Sequence, residues 1–182
     1  MALSKIDAAN FLTGTLPAAN INDTSINNIT ALPAGVGGKV LQVVSATDST
    51  SRSTTSTSFV TASNTLSVNI TPSSTSNKIL VLAQSNTNSS SGAGYQYITL
   101  FRDSTNLGDS INGMNVASNV TGVQTSYTPV SLKFLDSPNT TSAITYQVYF
   151  RSNSASYTAR INRGQAGGTD TVGSIIAMEI GA

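Results

Sequence analysis

The chain has 182 residues, of which 38% are apolar and only 9% charged, and its formal net charge is +1. Ser, Thr and Asn supply 70 residues, while Lys and Glu are scarce. The composition excludes a disordered chain, which combines low hydrophobicity with high net charge, and it disfavours a helical one. Because Lys and Arg form no cluster, we expect no nucleic-acid partner.

The N-terminus lacks the positive charge and apolar run of a secretory signal, and the chain has no stretch of about 18 apolar residues. We therefore expect synthesis in a host cytoplasm without a signal peptide, and no insertion into a membrane. The absence of Cys leaves the redox compartment open.

Residues 1–38 differ from the rest of the chain. Their apolar residues are isolated and recur every three to five positions, but two Pro and several Asn argue against a helix. The pattern predicts an extended arm that attaches the protein to a partner or helps it oligomerise, since the arm cannot bury these side chains itself. The predicted attachment residues are Ile6, Phe11, Leu16, Ile21, Ile26, Ile29 and Leu32.

Residues 39–182 show short β runs separated by turn residues, and this pattern predicts one all-β head domain. Many short strands separated by turn residues are typical of an antiparallel β-sandwich of jelly-roll type. The ten predicted strands are 39–44, 56–61, 65–70, 78–84, 95–102, 111–116, 125–135, 144–151, 157–162 and 172–180.

Three of the predicted strands, within 79–83, 144–150 and 175–178, are apolar on both faces. A two-layer sandwich buries one face of each sheet, so we expect a neighbouring subunit to cover the other. Buried there, the carboxylate of Glu179 would need a partner, for which Arg151 and Arg160 are candidates. The predicted subunit interface consists of Ile79, Val81, Tyr146, Val148, Ile175, Ile176, Met178 and Glu179.

The chain has few of the side chains that enzymes most often use for catalysis. The chain has no His and no Cys, and Glu179 is its only Glu, which excludes Ser-His-Asp and Cys-His catalysis and the common metal ligands. We therefore expect no enzymatic activity and no cofactor. Asp103 and Asp109 form the closest acidic pair, for which a turn is favoured over a cation-binding loop.

Two further features have competing interpretations. The Gly-rich loop 163–170 lacks the Gly-Lys-Ser/Thr of a phosphate cradle, so we expect a flexible hairpin loop. The tyrosines could line a sugar site, although packing within strands is the more common role. They are Tyr95, Tyr97, Tyr127, Tyr146, Tyr149 and Tyr157.

The N-terminal segment 4–21, with its Gly14-Thr15-Leu16-Pro17-Ala18, resembles repeats that precede the distal domain of phage tail fibres. The head domain resembles one found in phages of marine bacteria, including cyanobacterial phages. The segments that carry this second resemblance are 37–44, 66–74, 77–81, 100–103 and 178–181. Together they imply a structural protein of a tailed-phage virion, usually trimeric and with a jelly-roll head.

We therefore expect a trimeric short fibre or receptor-binding appendage that functions in host adsorption. Its arm would bind other virion proteins, and a host surface glycan would be a further partner. The alternative is a capsid-decoration or head-fibre protein, and a carbohydrate-binding module is a less favoured one.

An up-and-down order of the ten strands would also fix the surface that faces the host. It would gather loops 45–55, 71–77, 103–110, 136–143 and 163–171 at the end away from the termini, where loops on a rigid scaffold contact ligands.

Overall fold

The computed structural model describes residues 39–89, 94–118, 127–164 and 170–182. Within these ranges the regular structure is entirely β, and no helix there is long and apolar enough to cross a bilayer. The predicted arm, with its attachment residues, lies outside the described residues. The strands are β1 (Val40–Asp48), β2 (Arg52–Thr54), β3 (Val60–Thr61), β4 (Ser67–Ile70), β5 (Lys78–Ser89), β6 (Tyr95–Arg102), β7 (Thr105–Asn106), β8 (Asn115–Ser118), β9 (Tyr127–Asp136), β10 (Ile144–Ser152), β11 (Ala159–Ile161) and β12 (Gly173–Ile180).

The strands form two antiparallel sheets. Sheet A has the order β1-β12-β5-β9, with β11 pairing on the same edge of β5 as β12 and β2 pairing on β11. Sheet B has the order β4-β10-β6-β8, with β3 beside β10 and β7 beside β6. Eight of the described strands have four or more residues, namely β1, β4, β5, β6, β8, β9, β10 and β12. Counted in chain order, the first, eighth, third and sixth of these lie side by side in sheet A, and the second, seventh, fourth and fifth lie side by side in sheet B. This is the double Greek key of a jelly roll, so the predicted fold class is confirmed.

The hydrophobic core lies between the two sheets. Along β5, β10 and β12, successive side chains point alternately into the core and away from it, as the pleat of a β-strand requires. Tyr146 and Phe150 are the largest side chains that are fully enclosed, and Leu66 and Leu100 pack in the same cluster.

Both ends of the described domain meet at one end of the sandwich, which we call the base. The amide of Gly181 donates to the carbonyl of Lys39 at 2.7 Å, and Ile180 pairs with both Val40 and Lys78. The opposite end, which we call the crown, contains Ser89 and the outer ends of β6 and β10.

This arrangement contradicts part of the predicted loop grouping. Loops 71–77 and 136–143 and the start of 103–110 lie at the base, whereas 45–55 and the described ends of 163–171 lie away from it. The cause is a miscount of chain reversals. β3 and β4 both pair antiparallel with β10, and β11 and β12 both with β5, so each pair runs in one direction.

A buried carboxylate closes the base. Glu179, on the inner face of β12, is only 1% exposed and accepts hydrogen bonds from the Gln42 and Asn77 side chains, both at 2.6 Å. It also accepts from the amide and hydroxyl of Ser73, at 2.6 and 2.7 Å. The partners are therefore neutral donors from β1 and the 71–77 loop, and not Arg151 or Arg160 as predicted. Burial by itself raises the pKa of Glu179, but these bonds outweigh it and hold the pKa at about 2.

A second polar group joins the two sheets. Arg102 of β6 donates through Nη1 to both carboxylate oxygens of Asp136 on β9, at 2.9 and 2.8 Å. The hydroxyl of Tyr146, on β10, donates to the same carboxylate at 2.5 Å. Burial and this carboxylate raise the pKa of Tyr146 above its ordinary value of 10. The group satisfies a carboxylate that would otherwise be costly to enclose.

The Glu179 cluster predicts a specific pH dependence of stability. The pKa of Glu179 falls on folding from near 4.5 to about 2, so its contribution is complete above pH 5 and is lost as the pH falls towards 2. We expect Glu179→Gln to lower the free energy of unfolding at pH 7 and to remove roughly 2–3 kcal/mol of the change between pH 5 and 2. Denaturant titrations across this range measure it, and parallel curves for the two proteins would contradict the assignment.

Candidate functional site on the outer face of sheet A

The structure corrects most of the predicted subunit interface. Six of its eight residues point into the core of the single chain and are at most 3% exposed, so they have no surface left for another subunit. These six are Ile79, Val81, Tyr146, Val148, Ile175 and Glu179. Ile176 and Met178 have the opposite parity on β12 and lie on the outer face of sheet A, where they are half-buried.

The outer face of sheet A carries an apolar row that crosses all four main strands. Strand register places Val43 beside Met178, Met178 beside Leu80, and Leu80 beside Leu135. Val43 and Leu135, at the two ends of the row, are 56% and 51% exposed. Because neighbouring strands lie about 5 Å apart, the four side chains form one continuous surface.

Further apolar side chains extend this row into a patch. Ile176 and Leu82 are register neighbours in the next row towards the crown, and Leu41 and Ile180 lie next to the row on the base side. We define the apolar patch as Leu41, Val43, Leu80, Leu82, Leu135, Ile176, Met178 and Ile180. No member carries a charge, and two lysines stand at its edges, Lys133 beside Leu82 and Lys78 beside Ile180. An uncharged patch on the order of a few hundred Å² is typical of an interaction surface.

Beyond the patch, the same face becomes polar. The next row towards the crown consists of Thr47, Ser174, Gln84 and Ser131, again matched by register. The outer face of sheet A is therefore divided between an apolar half at the base and a polar half towards the crown.

The outer face of sheet B is covered by the chain itself. Phe101 stacks on Tyr149 with ring centroids 3.9 Å apart, and the guanidinium of Arg151 lies 4.0 Å from the Tyr97 ring and 5.4 Å from that of Phe59. Arg151 also donates to the backbone carbonyls of Ile111 and Thr57, so loops 55–59 and 107–113 are fastened across this face. For Tyr97, Tyr146 and Tyr149, the packing interpretation is the one observed.

The acidic pair also follows its turn interpretation. Asp109 accepts from the amides of Ile111 and Asn112 within its own turn, and these bonds lower its pKa. Asp103, whose own φ is +50°, accepts a hydrogen bond from the amide of Thr145 on the adjacent strand. In the described ranges no three acidic, His or Cys side chains are grouped as a metal site would require.

Sequence reasoning missed most of the patch, namely Leu41, Val43, Leu80, Leu82, Leu135 and Ile180. It recognised that β5 and β12 are apolar on both faces but selected the wrong parity on β5. On β12 it named residues of both parities, Ile175 and Glu179 as well as Ile176 and Met178. The useful signal was Ile180, whose parity is shared with Met178 and Ile176.

Comparison of the chain with models of known protein families and with curated proteins gives no match in either case. The functional assignment therefore depends on the geometry of the described residues and on the resemblance noted from the sequence.

The Arg151 contacts predict what fastens loops 55–59 and 107–113. We expect Arg151→Ala to lower the free energy of unfolding by about 1–3 kcal/mol, because it removes the ring contacts and the bonds to two carbonyls. Hydrogen exchange should rise at least tenfold in both loops and stay unchanged in β5. Lys133→Ala, which removes an exposed cation on the other sheet, is the control. Unchanged exchange in both loops would show that they are held by other contacts.

Proposed function

We propose that the chain is a structural subunit of a tailed-phage virion, a trimeric short fibre or receptor-binding appendage, without enzymatic activity. The observation that carries the proposal is the uncharged apolar patch at the base of sheet A. The N-terminal resemblance to tail-fibre repeats supports the assignment to a virion, and the absence of His and Cys supports a structural role.

The size of the patch favours an assembly. Burying about 400 Å² of apolar surface contributes on the order of 10 kcal/mol per subunit before the cost of association. Left exposed on a protein of net charge +1, the same surface would promote aggregation. A closed cyclic assembly buries it on every copy without leaving an open end. The three-fold symmetry comes from the tail-fibre resemblance.

The position of the patch is consistent with an appendage. Lys39, where the predicted arm joins the head domain, lies at the base beside Gly181. Contacts between subunits would then form at the end of the domain that leads into the arm, and the crown would be left free to face the host.

The assembly is tested by placing a charge within the patch. Val43 is 56% exposed, so Val43→Asp should leave the sandwich folded while burying a carboxylate in the subunit contact. Thr47→Asp, on the same strand and face but in the polar half, is the matched control. We expect light scattering after size-exclusion chromatography to give three times 18.7 kDa for the wild type and for Thr47→Asp. Val43→Asp should give a single chain with an unchanged circular dichroism spectrum.

A wild-type mass of one chain at micromolar concentration would contradict the assembly. If neither variant dissociates it, the contact lies somewhere other than the apolar patch, and if both do, the contact is not confined to the patch.

A second test addresses the arm. The core of the described domain is built from residues 62–177, so a chain beginning at Gly37 should remain soluble and β-rich. We expect it to fail to join virions, because the predicted attachment residues are missing. Quantifying its incorporation beside the full chain measures this. Unfolding of the shortened chain, or normal incorporation, would contradict the attachment role.

A further inference from the structure

The polar half of the outer face of sheet A contains an open groove. Gln84 and Asn86 of β5 line it, with Pro129 and Ser131 of β9 on one side and Val172 on the other, and its volume is about 430 Å³. A shallower extension of about 220 Å³ shares Gln84 and Ser131 and continues towards the base.

The polar side chains of the groove have no partners among the described residues. Gln84, Asn86 and Ser131 make no side-chain hydrogen bond there, although Gln42, Gln96 and Gln147, which also lie in strands, all do. The groove thus presents free amide and hydroxyl groups. Pro129 and the side chain of Val172, a residue that is 61% exposed, provide apolar walls beside them.

The backbone beneath the groove offers no free sheet edge to a ligand. β5 pairs with β9 along one edge, and along the other with β12 as far as Gln84 and with β11 from Thr87, so only Ser85 and Asn86 lie outside a ladder on that side. An added peptide strand gains affinity from main-chain bonds at a free sheet edge, and this groove has none. Recognition must therefore come from the free amides and hydroxyls, which suit a ligand that is itself rich in hydroxyl groups.

The charge around the groove excludes a cationic ligand. Among the described residues no Asp or Glu lines it, and the one charged side chain that they place along it is Lys133, at the end nearest the apolar patch. The groove extends along β5 from the row of Leu82 and Lys133 to the row of Asn86, a distance of four residues. At 3.3 Å per residue, its length is about 13 Å. That length accommodates a short linear oligomer lying along the strand.

We propose that this groove binds an oligosaccharide, with sugar C–H faces against Pro129 and Val172 and sugar hydroxyls bonded to Gln84, Asn86 and Ser131. The proposal deepens the receptor-binding part of the proposed function and rests on it only for the ligand's origin on a host surface. The main part of the groove shares no residue with the apolar patch, and only its shallower extension reaches Leu82 and Ile176, so assembly through the patch leaves the main part open.

The experiment is a binding titration of the full-length protein with oligosaccharides of four to six units. The probes are neutral oligomers of glucose, galactose, mannose and N-acetylglucosamine, and acidic oligomers of mannuronate and guluronate. We expect saturable binding of at least one series, weakened tenfold or more by Gln84→Ala and by Asn86→Ala. Asn112→Ala, which removes an exposed amide from a loop of sheet B, should bind like the wild type. Lys133→Ala should weaken only an acidic series.

Three results would overturn the proposal. They are binding of none of the probes at millimolar concentration, binding that Gln84→Ala and Asn86→Ala leave unchanged, and saturable binding of an extended peptide in the same groove. The titration does not depend on the assembly test, because a dissociated head domain keeps the whole groove. A failure to bind sugar is therefore distinguishable from a failure to assemble.

Discussion

Strand β5 pairs along both of its edges, and the arrangement of sheet A depends on that pairing. β9 follows one edge through ten register pairs, while β12 and then β11 follow the other. Each strand is held in a register that sends Ile79 and Val81 into the core and Leu80 and Leu82 outwards. A slip of one residue would exchange the two sets, so the position of the apolar patch is fixed by the same bonds that build the core.

The closure of the base follows from this register. β12 must end with Glu179 facing inwards, and a carboxylate enclosed at that point is stable only if it is fully bonded. Gln42, Ser73 and Asn77 supply the donors and thereby tie β1 and the 71–77 loop to the last strand. Four hydrogen bonds to one carboxylate therefore hold the base together beneath the apolar half of the outer face.

The sequence was sufficient for the fold class and for most strand positions, because alternation and turn residues are local signals. The ends of β5 were less predictable: residues 85–89 have the composition of a loop but are held as strand by pairing with β9 and β11. Parity within uniformly apolar runs such as 79–83 was also beyond local reasoning, since both faces have the same chemistry. The predicted number of chain reversals was wrong because β3 and β4 run in the same direction, as do β11 and β12. In the sequence, an interruption between two strands that continue in one direction resembles the turn of a hairpin. Gln84 and Asn86 became candidate ligand contacts only when the register placed them beside Pro129 and Ser131.

The central claim is that copies of this chain meet through the base half of the outer face of sheet A. The chain contains no Cys, so single substitutions report on chosen positions without background. The decisive measurement is the rate at which a thiol reagent modifies M178C and S131C in the native protein. If the claim is right, M178C reacts at least a hundredfold more slowly than S131C, and unfolding the protein removes the difference. Equal rates in the native protein would show that the apolar patch is open to solvent and that copies meet elsewhere or not at all.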